Sequence, residues 1–368
     1  MAVCGCEKVE NVGETVSAPS REKSFVTLED VATLFSSLRL GREQMEEVHH
    51  AALSSVANGY DEEYRMRDVF EAPGAGVGDG GVSSKAGGYS RPLRDLLREA
   101  AGSFTKAGDG SSAWLDSLST SNVQIYWPFS DSWDGTSLPV ITYDPGDYVT
   151  SNVGYALRAD GGFDKVMVDE QMAMERPVWV MNRNSDAAFM TFEMKKKEDL
   201  IVNSPKAASG KEVKSLFLRS FKAKRQYDSW FSGASEFFLK VGAVENFTAS
   251  TEAELRLYEP TITDFMIVVR RKQVGKDIDF NAVLVSEWTS ALSNVALMIT
   301  EDDGGTRTTW KCNAMVKVSS KSYGIEIEIP LYTHDDVVWR GSLTRNYIER
   351  YSGEVGHFGD VDLVLELI

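Results

Sequence analysis

Long apolar runs are missing from this chain. No stretch approaches the ~18 consecutive apolar residues that mark a membrane-spanning helix. Cysteine is scarce, with only Cys4, Cys6 and Cys312 in 368 residues. A disulfide framework of the kind that staples small secreted domains is therefore excluded. Histidine is limited to His49, His50, His334 and His357, which leaves little material for imidazole-based metal or triad chemistry. Positive charge is also short: 39 Lys and Arg stand against 55 Asp and Glu, a net −16. Binding a phosphate backbone needs clustered Lys and Arg, so no nucleic-acid partner is expected. The chain has no G-x-x-x-x-G-K-S/T, no H-E-x-x-H and no G-x-S-x-G, which removes the signatures of P-loop, zincin and nucleophile-elbow chemistry.

What remains is ordinary globular material. Apolar residues make up 42 % and charged residues 26 %, and the length suits two or three domains. The charge is unevenly spread. Lys195–Arg225 holds ten basic and three acidic residues. Such a run reads either as a solvated face or as a docking stripe for an anionic partner.

The pattern along the chain predicts an α+β fold with four stretches. Residues 1–24 form a lipoprotein-like start and a polar tether without helical or strand period. Residues 25–120 form a helical region with Gly-rich joints. Thr27-Leu-Glu-Asp30 is a helix-start signal, and Leu28, Val31, Phe35 and Leu38 follow at helical spacing. Arg42–Ala57 and Pro92–Ala101 repeat that pattern. Residues 121–251 form a β-rich middle domain of short runs such as Val123–Trp127 and Val178–Met181. Residues 252–368 form a C-terminal antiparallel β-sandwich. In that last part Glu252, Glu254 and Arg256 alternate with apolar residues, and Glu326 and Glu328 alternate with Ile325, Ile327 and Ile329. Glu301-Asp-Asp-Gly-Gly305 reads as the turn of a hairpin joining its flanking strands.

Few motifs carry chemistry. Gly76-Val-Gly-Asp-Gly-Gly81 matches G-x-G-x-x-G, but no strand precedes it and no helix opens on it, so a flexible loop is expected. Glu46-Glu-Val-His-His50 contains E-x-x-H on a helical face, without the second copy that a di-metal bundle requires. No metal ligand set is assigned. Acidic turns are numerous, among them Asp131, Asp134, Asp144, Asp147, Glu301, Asp302, Asp303, Asp335 and Asp336. Loops of β-domains gather carboxylates round Ca²⁺, which is the one cofactor the composition leaves open; otherwise none is expected. The most distinctive patch is Tyr126-Trp-Pro-Phe-Ser-Asp-Ser-Trp-Asp134. Tyr126, Trp127, Asp131, Trp133 and Asp134 are its candidate ligand-binding residues: indoles stack on sugars and carboxylates accept from their hydroxyls. The same aromatics also serve as core hydrophobes. No catalytic residue is assigned.

The start of the chain speaks to location. Val3-Cys-Gly-Cys6 resembles a bacterial lipoprotein processing box, with Cys6 as the lipid-attachment residue. Only three residues precede Cys4, so a signal peptide would place the start of translation upstream of Met1. A cytoplasmic protein is the alternative if Met1 is the authentic start.

Further along, Asn58-Gly-Tyr-Asp-Glu-Glu-Tyr64, Tyr126-Trp-Pro128, Asp131-Ser-Trp-Asp-Gly135, Val244-Glu-Asn-Phe-Thr-Ala-Ser250, Thr300-Glu-Asp-Asp-Gly-Gly305 and Trp339-Arg-Gly-Ser342 resemble a family of uncharacterised envelope lipoproteins from Bacteroidetes. The resemblance implies export and lipid anchoring, and brings no activity or site residues with it. The expectation is a non-enzymatic, lipid-anchored binding or scaffolding protein of the cell envelope, with the membrane as one partner. A carbohydrate-binding or carbohydrate-active module using the Tyr126–Asp134 patch is the first alternative. A hydrolase with a site assembled from distant carboxylates is the second.

Overall fold

The computed structural model describes residues 26–71, 89–104, 110–146, 149–184, 189–196 and 213–368. Cys6, the tether over residues 1–24, the Gly76–Gly81 motif and residues 197–212 of the basic stretch lie outside the described residues.

The first unit builds five helices onto one sheet. Helix α1 (Leu28–Ser36) starts where expected: Thr27 Oγ1 accepts the Asp30 N–H at 3.1 Å, satisfying a donor that the first turn leaves orphaned. Helix α2 (Arg42–Ala57) follows; the Gln44 side-chain oxygen reaches back to the Gly41 N–H at 2.8 Å. Helices α3 (Met66–Phe70), α4 (Leu93–Phe104) and α5 (Gly110–Ser119) complete the layer. The strands are β1 (Glu63–Arg65), β2 (Val123–Tyr126), β3 (Val140–Tyr143), β4 (Ser151–Leu157), β5 (Phe163–Asp169) and β6 (Val178–Arg183). They form a sheet in the order β1-β2-β6-β3-β4-β5, antiparallel except where β3 meets β6. Helix α6 (Glu170–Glu175) joins β5 to β6.

Strand β6 shows why the sheet is central. Successive side chains point to opposite faces, and both faces are covered. Trp179 and Met181 enter a core with Val31, Phe35, Met45 and Leu97 of the helices. Val178 and Val180 enter a second cluster on the other face, with Trp230 and Phe231 from much later in the chain. The helical region and the middle strands therefore share one core, and the expected boundary at 120/121 cuts through it.

The second unit begins earlier than expected. Strands β7 (Lys214–Ala223) and β8 (Ser235–Ala243) precede the expected boundary at 251/252 but pair only with strands beyond it. With β9 (Thr261–Val269), β10 (Ile278–Trp288), β11 (Asn294–Glu301), β14 (Asp336–Thr344), β15 (Val355–Phe358) and β16 (Val361–Leu367), they make two four-stranded antiparallel sheets. These run β10-β7-β16-β15 and β14-β11-β8-β9. The long hairpin β12 (Arg307–Val318) and β13 (Lys321–Tyr332) stands as a pair of its own. One core draws on all three: Leu218 and Phe221, Phe237 and Ile299, Val316 and Ile327. The Phe221 and Phe237 rings lie 5.3 Å apart. Alternation holds as read on β13, where Ile327 and Ile329 are buried and Glu326 and Glu328 are exposed.

Two local expectations are corrected. Glu252–Leu255 is a short helix, α7, and not a strand; Thr251 Oγ1 accepts the Glu254 N–H at 3.3 Å and starts a turn before the alternation can be used. The turn at Glu301–Gly305 does not close a hairpin. Strand β11 pairs with β8 and β14, while β12 pairs with β13, so this loop carries the chain from one sheet to the hairpin.

Candidate functional site

The expected aromatic patch is organised by a carboxylate from another segment. Strand β2 runs out into Trp127-Pro128-Phe129, then a 3-10 turn over Ser130–Ser132. Phe129 sits in the left-handed region at φ 59°, a costly conformation for a side chain of its size. Glu62 holds it there. Its backbone carbonyl accepts the Trp127 N–H at 2.8 Å. Its carboxylate accepts Phe129 N–H at 3.1 Å, and both the N–H and the hydroxyl of Ser130 at 3.0 Å. Glu62 is buried, and burial raises its pKa despite the pull of Lys272 and the Ser130 hydrogen bond.

The five expected residues part company. Tyr126 is buried among Val140, Val178 and Trp230, and burial pushes its phenol far up. Asp131 pairs with Lys272. Trp127, Trp133 and Asp134 do come together. Trp127 is buried, with its ring 5.6 Å from that of Trp133. His49 closes the triangle at 5.5 Å from Trp127 and 5.2 Å from Trp133. Burial lowers the pKa of His49, and His50 adds to it, so the ring is neutral at pH 7. Asp134 caps its own turn, taking the Thr136 and Ser137 N–H groups at 2.8 and 2.7 Å and the Ser137 hydroxyl at 2.5 Å. The Ser137 hydroxyl, then those N–H groups, hold its carboxyl well below the usual range. Trp133 Nε1 donates to Ser137 O at 3.0 Å.

Between this loop and residues 173–177 lies a shallow recess of about 80 Å³. Trp133, Phe129 and Asp134 line one side, and Met174 and Arg176, both exposed, line the other. That volume is well under the ~300 Å³ at which pockets for whole small molecules begin, so it suits an edge or a terminal group. Sequence reasoning did not place His49, Met174 or Arg176 here. At His49 the sequence offered only the E-x-x-H spacing on a helical face, and no local signal joins residues 173–177 to the loop.

The chain matches no protein-family model, no curated protein and no solved structure.

A second constellation lies at the far end of the C-terminal sheets. Glu301 ends β11, Glu236 is the second residue of β8, and Asp228 lies in the loop before β8. The Asp302 N–H donates to Glu236 O at 3.1 Å, which locks the two strand ends together. The Asp228 backbone is held by Arg271, whose Nη2 donates to its carbonyl at 2.7 Å. One carboxylate oxygen from each of Asp228, Glu236 and Glu301 lies within 4.8 Å of the others. Glu301 is 0 % exposed, its oxygens meet no N–H or hydroxyl donor among the described residues, and the group that faces it is the Asp228 carboxyl. Burial, then the neighbouring Asp228, Asp303 and Asp336, all raise its pKa. Glu301, Asp303 and Asp336 belong to the acidic turns noted in the sequence. Asp228 and Glu236 do not, and only the strand pairing brings them in. Asp302 points elsewhere, with burial and then Asp335 raising its pKa.

Other sequence candidates take structural roles among the described residues. Glu46 pairs with Arg42 at 2.6 Å. Glu47 accepts the Leu93 N–H at 2.7 Å. His50 meets the Tyr89 hydroxyl at 2.7 Å. Glu46, Glu47 and His50 are thus engaged elsewhere, and the His49 ring packs against Trp127 and Trp133. Cys312 is half-buried, and burial pushes its thiol up to about 11, which suits a packed side chain rather than a nucleophile. Several cations of the described part of the basic stretch are paired on or just after β7. Arg219 pairs with Glu366 at 2.5 Å, Lys222 with Asp277 at 2.9 Å, and Lys224 with Asp362 at 2.7 Å. This supports the solvated-face reading for that part.

Proposed function

We propose that this chain is a lipid-anchored, extracytoplasmic binding or scaffolding protein of the bacterial envelope, that Cys6 carries the lipid, and that the recess beside Trp133 contacts a glycan. The observation that carries the glycan reading is the convergence of Trp133, Asp134, Met174 and Arg176 on one shallow recess. An indole edge, a carboxylate and a guanidinium offer stacking, acceptor and donor contacts to a sugar residue. A recess this small holds one residue of a chain and leaves the rest in solvent. The anchor reading is supported by the Val3–Cys6 box and the polar residues after it. Two acyl signals together give the stable attachment that one chain does not. We also propose that the two four-stranded sheets of the second unit form a sandwich, supported by the core they share.

Two experiments test these readings separately. Metabolic palmitate labelling of the full-length gene product should label the protein in the membrane fraction, and Cys6→Ala should abolish the label. Unlabelled wild-type protein in the soluble fraction overturns the anchor. A glycan array followed by calorimetry should show binding that Trp133→Ala and Arg176→Ala each weaken by about tenfold, the size of a lost stacking or charge-assisted contact. An array without signal overturns the glycan reading and leaves the anchor standing.

A further inference from the structure

We propose that Asp228, Glu236 and Glu301 form a Ca²⁺ site that ties the end of β11 to the start of β8 and to the loop before it. Three carboxylate oxygens converge within 4.8 Å of one another. Two Ca–O bonds of ~2.3–2.6 Å placed across an ion span about that distance. The donors are all oxygens; thiols and imidazoles, which favour zinc and copper, are not part of the triad.

An acidic cluster alone is commonplace on a chain of net charge −16. The buried member sets this one apart. Glu301 is 0 % exposed, sits at the end of a strand buried along its whole length, and presents two oxygens that meet no N–H or hydroxyl donor among the described residues and face the Asp228 carboxyl. Two other buried carboxylates are met by N–H or O–H donors, Glu62 by three and Glu47 by two. A buried carboxyl without such a donor calls for an explanation, and an ion is one of the few that fit. A cation between Glu301 and its two neighbours fills the open lone pairs of Glu301. Asp303 and Asp336 add negative potential from the two strand ends that flank it.

The site is also placed to matter. Glu301 lies opposite Phe237 on β8 and opposite Asp336 on β14. An ion there clamps the edge of the second sheet where the chain leaves for the β12–β13 hairpin. The neighbouring Trp230 and Phe231, two and three residues after Asp228, pack against the first unit. The clamp therefore steadies the segment on which the two units meet.

The test uses the full chain, stripped with chelator and titrated with CaCl₂ to about 10 mM, beyond the ~10⁻⁴–10⁻³ M range of extracellular Ca²⁺ modules. Calorimetry should show one site, and the thermal midpoint should rise by about 3 °C at saturation. Glu301→Gln should weaken Ca²⁺ binding by at least about tenfold and abolish the shift. Glu326→Gln, exposed on β13, should keep both. If Glu301→Gln does not fold, Asp228→Asn is read in its place. A wild type without heat or shift overturns the proposal. So does a shift that survives in the Glu301 or Asp228 variant, which would place the ion elsewhere on this acidic surface.

Discussion

The two units of the molecule bury their carboxylates in opposite ways. In the first, Glu62 and Glu47 go into the interior as acceptors for orphaned donors. Glu62 collects the N–H groups of a strained turn, and Glu47 takes the Leu93 N–H at the start of α4 and the Tyr64 hydroxyl. In the second, Glu301 goes in beside other carboxylates. The contrast teaches that burial of charge is not one phenomenon. A carboxylate that satisfies backbone donors organises a loop. A carboxylate that faces its own kind calls for a proton or a cation.

The largest test of that contrast is Glu62→Ala. Three donors, two of them buried, lose their acceptor, and stability should fall by about 3–5 kcal/mol in urea unfolding. A neutral result would mean that the Phe129–Ser130 turn does not depend on Glu62, and the comparison would break. The second test has the opposite sign. With chelator present, Glu301→Gln should raise stability by about 1–2 kcal/mol, because a neutral amide replaces a carboxyl that lacks donors. Destabilisation of the chelated protein would show that Glu301 already has a good partner.

A smaller effect is read as a trend with pH. Burial raises the pKa of Glu47 above its ordinary 4.5, and the Leu93 and Tyr64 hydrogen bonds only partly oppose it. The folded state thus binds the proton more tightly than the unfolded state. The stability it contributes is present below 4.5 and is lost as pH rises through the raised value. Glu47→Gln should therefore gain on the wild type as pH goes from about 4 to 7, followed by thermal melts of both proteins. A gap that does not move with pH would place Glu47 among ordinary surface carboxylates. The smallest effect belongs to the paired surface of β7. A double-mutant cycle on Arg219 and Glu366, both partly exposed, should give about 0.5 kcal/mol, fading in 1 M salt. A much larger coupling would mean that the basic stretch holds the second unit together rather than merely covering it.

Much of the local structure was legible in the residues. Thr27 announced α1, the spacing of Met45, Val48 and Ala52 announced α2, and the run Val178–Met181 announced a strand. These features depend on neighbours a few residues away, so the pattern carries them. Misreadings arose where two local rules compete or where pairing is remote. The Glu252–Leu257 alternation lost to a Thr251 cap. The Glu301–Gly305 turn kept its glycines at positive φ but joins strands of different sheets. The aromatic patch was visible as composition, yet its sorting was not. Tyr126 and Trp127 are adjacent on an extended segment, so the pleat sends them to opposite faces of the sheet.

The sequence alone determined the acidic balance, the scarcity of cysteine and histidine, and an α+β order of helices first and strands after. Each is a property of composition or of short-range period. The tertiary structure decided where the units divide, which of the aromatics reach a recess, and that Asp228 and Glu236 stand beside Glu301. Strand pairing across tens of residues makes those choices, because it answers to the burial of whole faces and leaves no mark within any one short window.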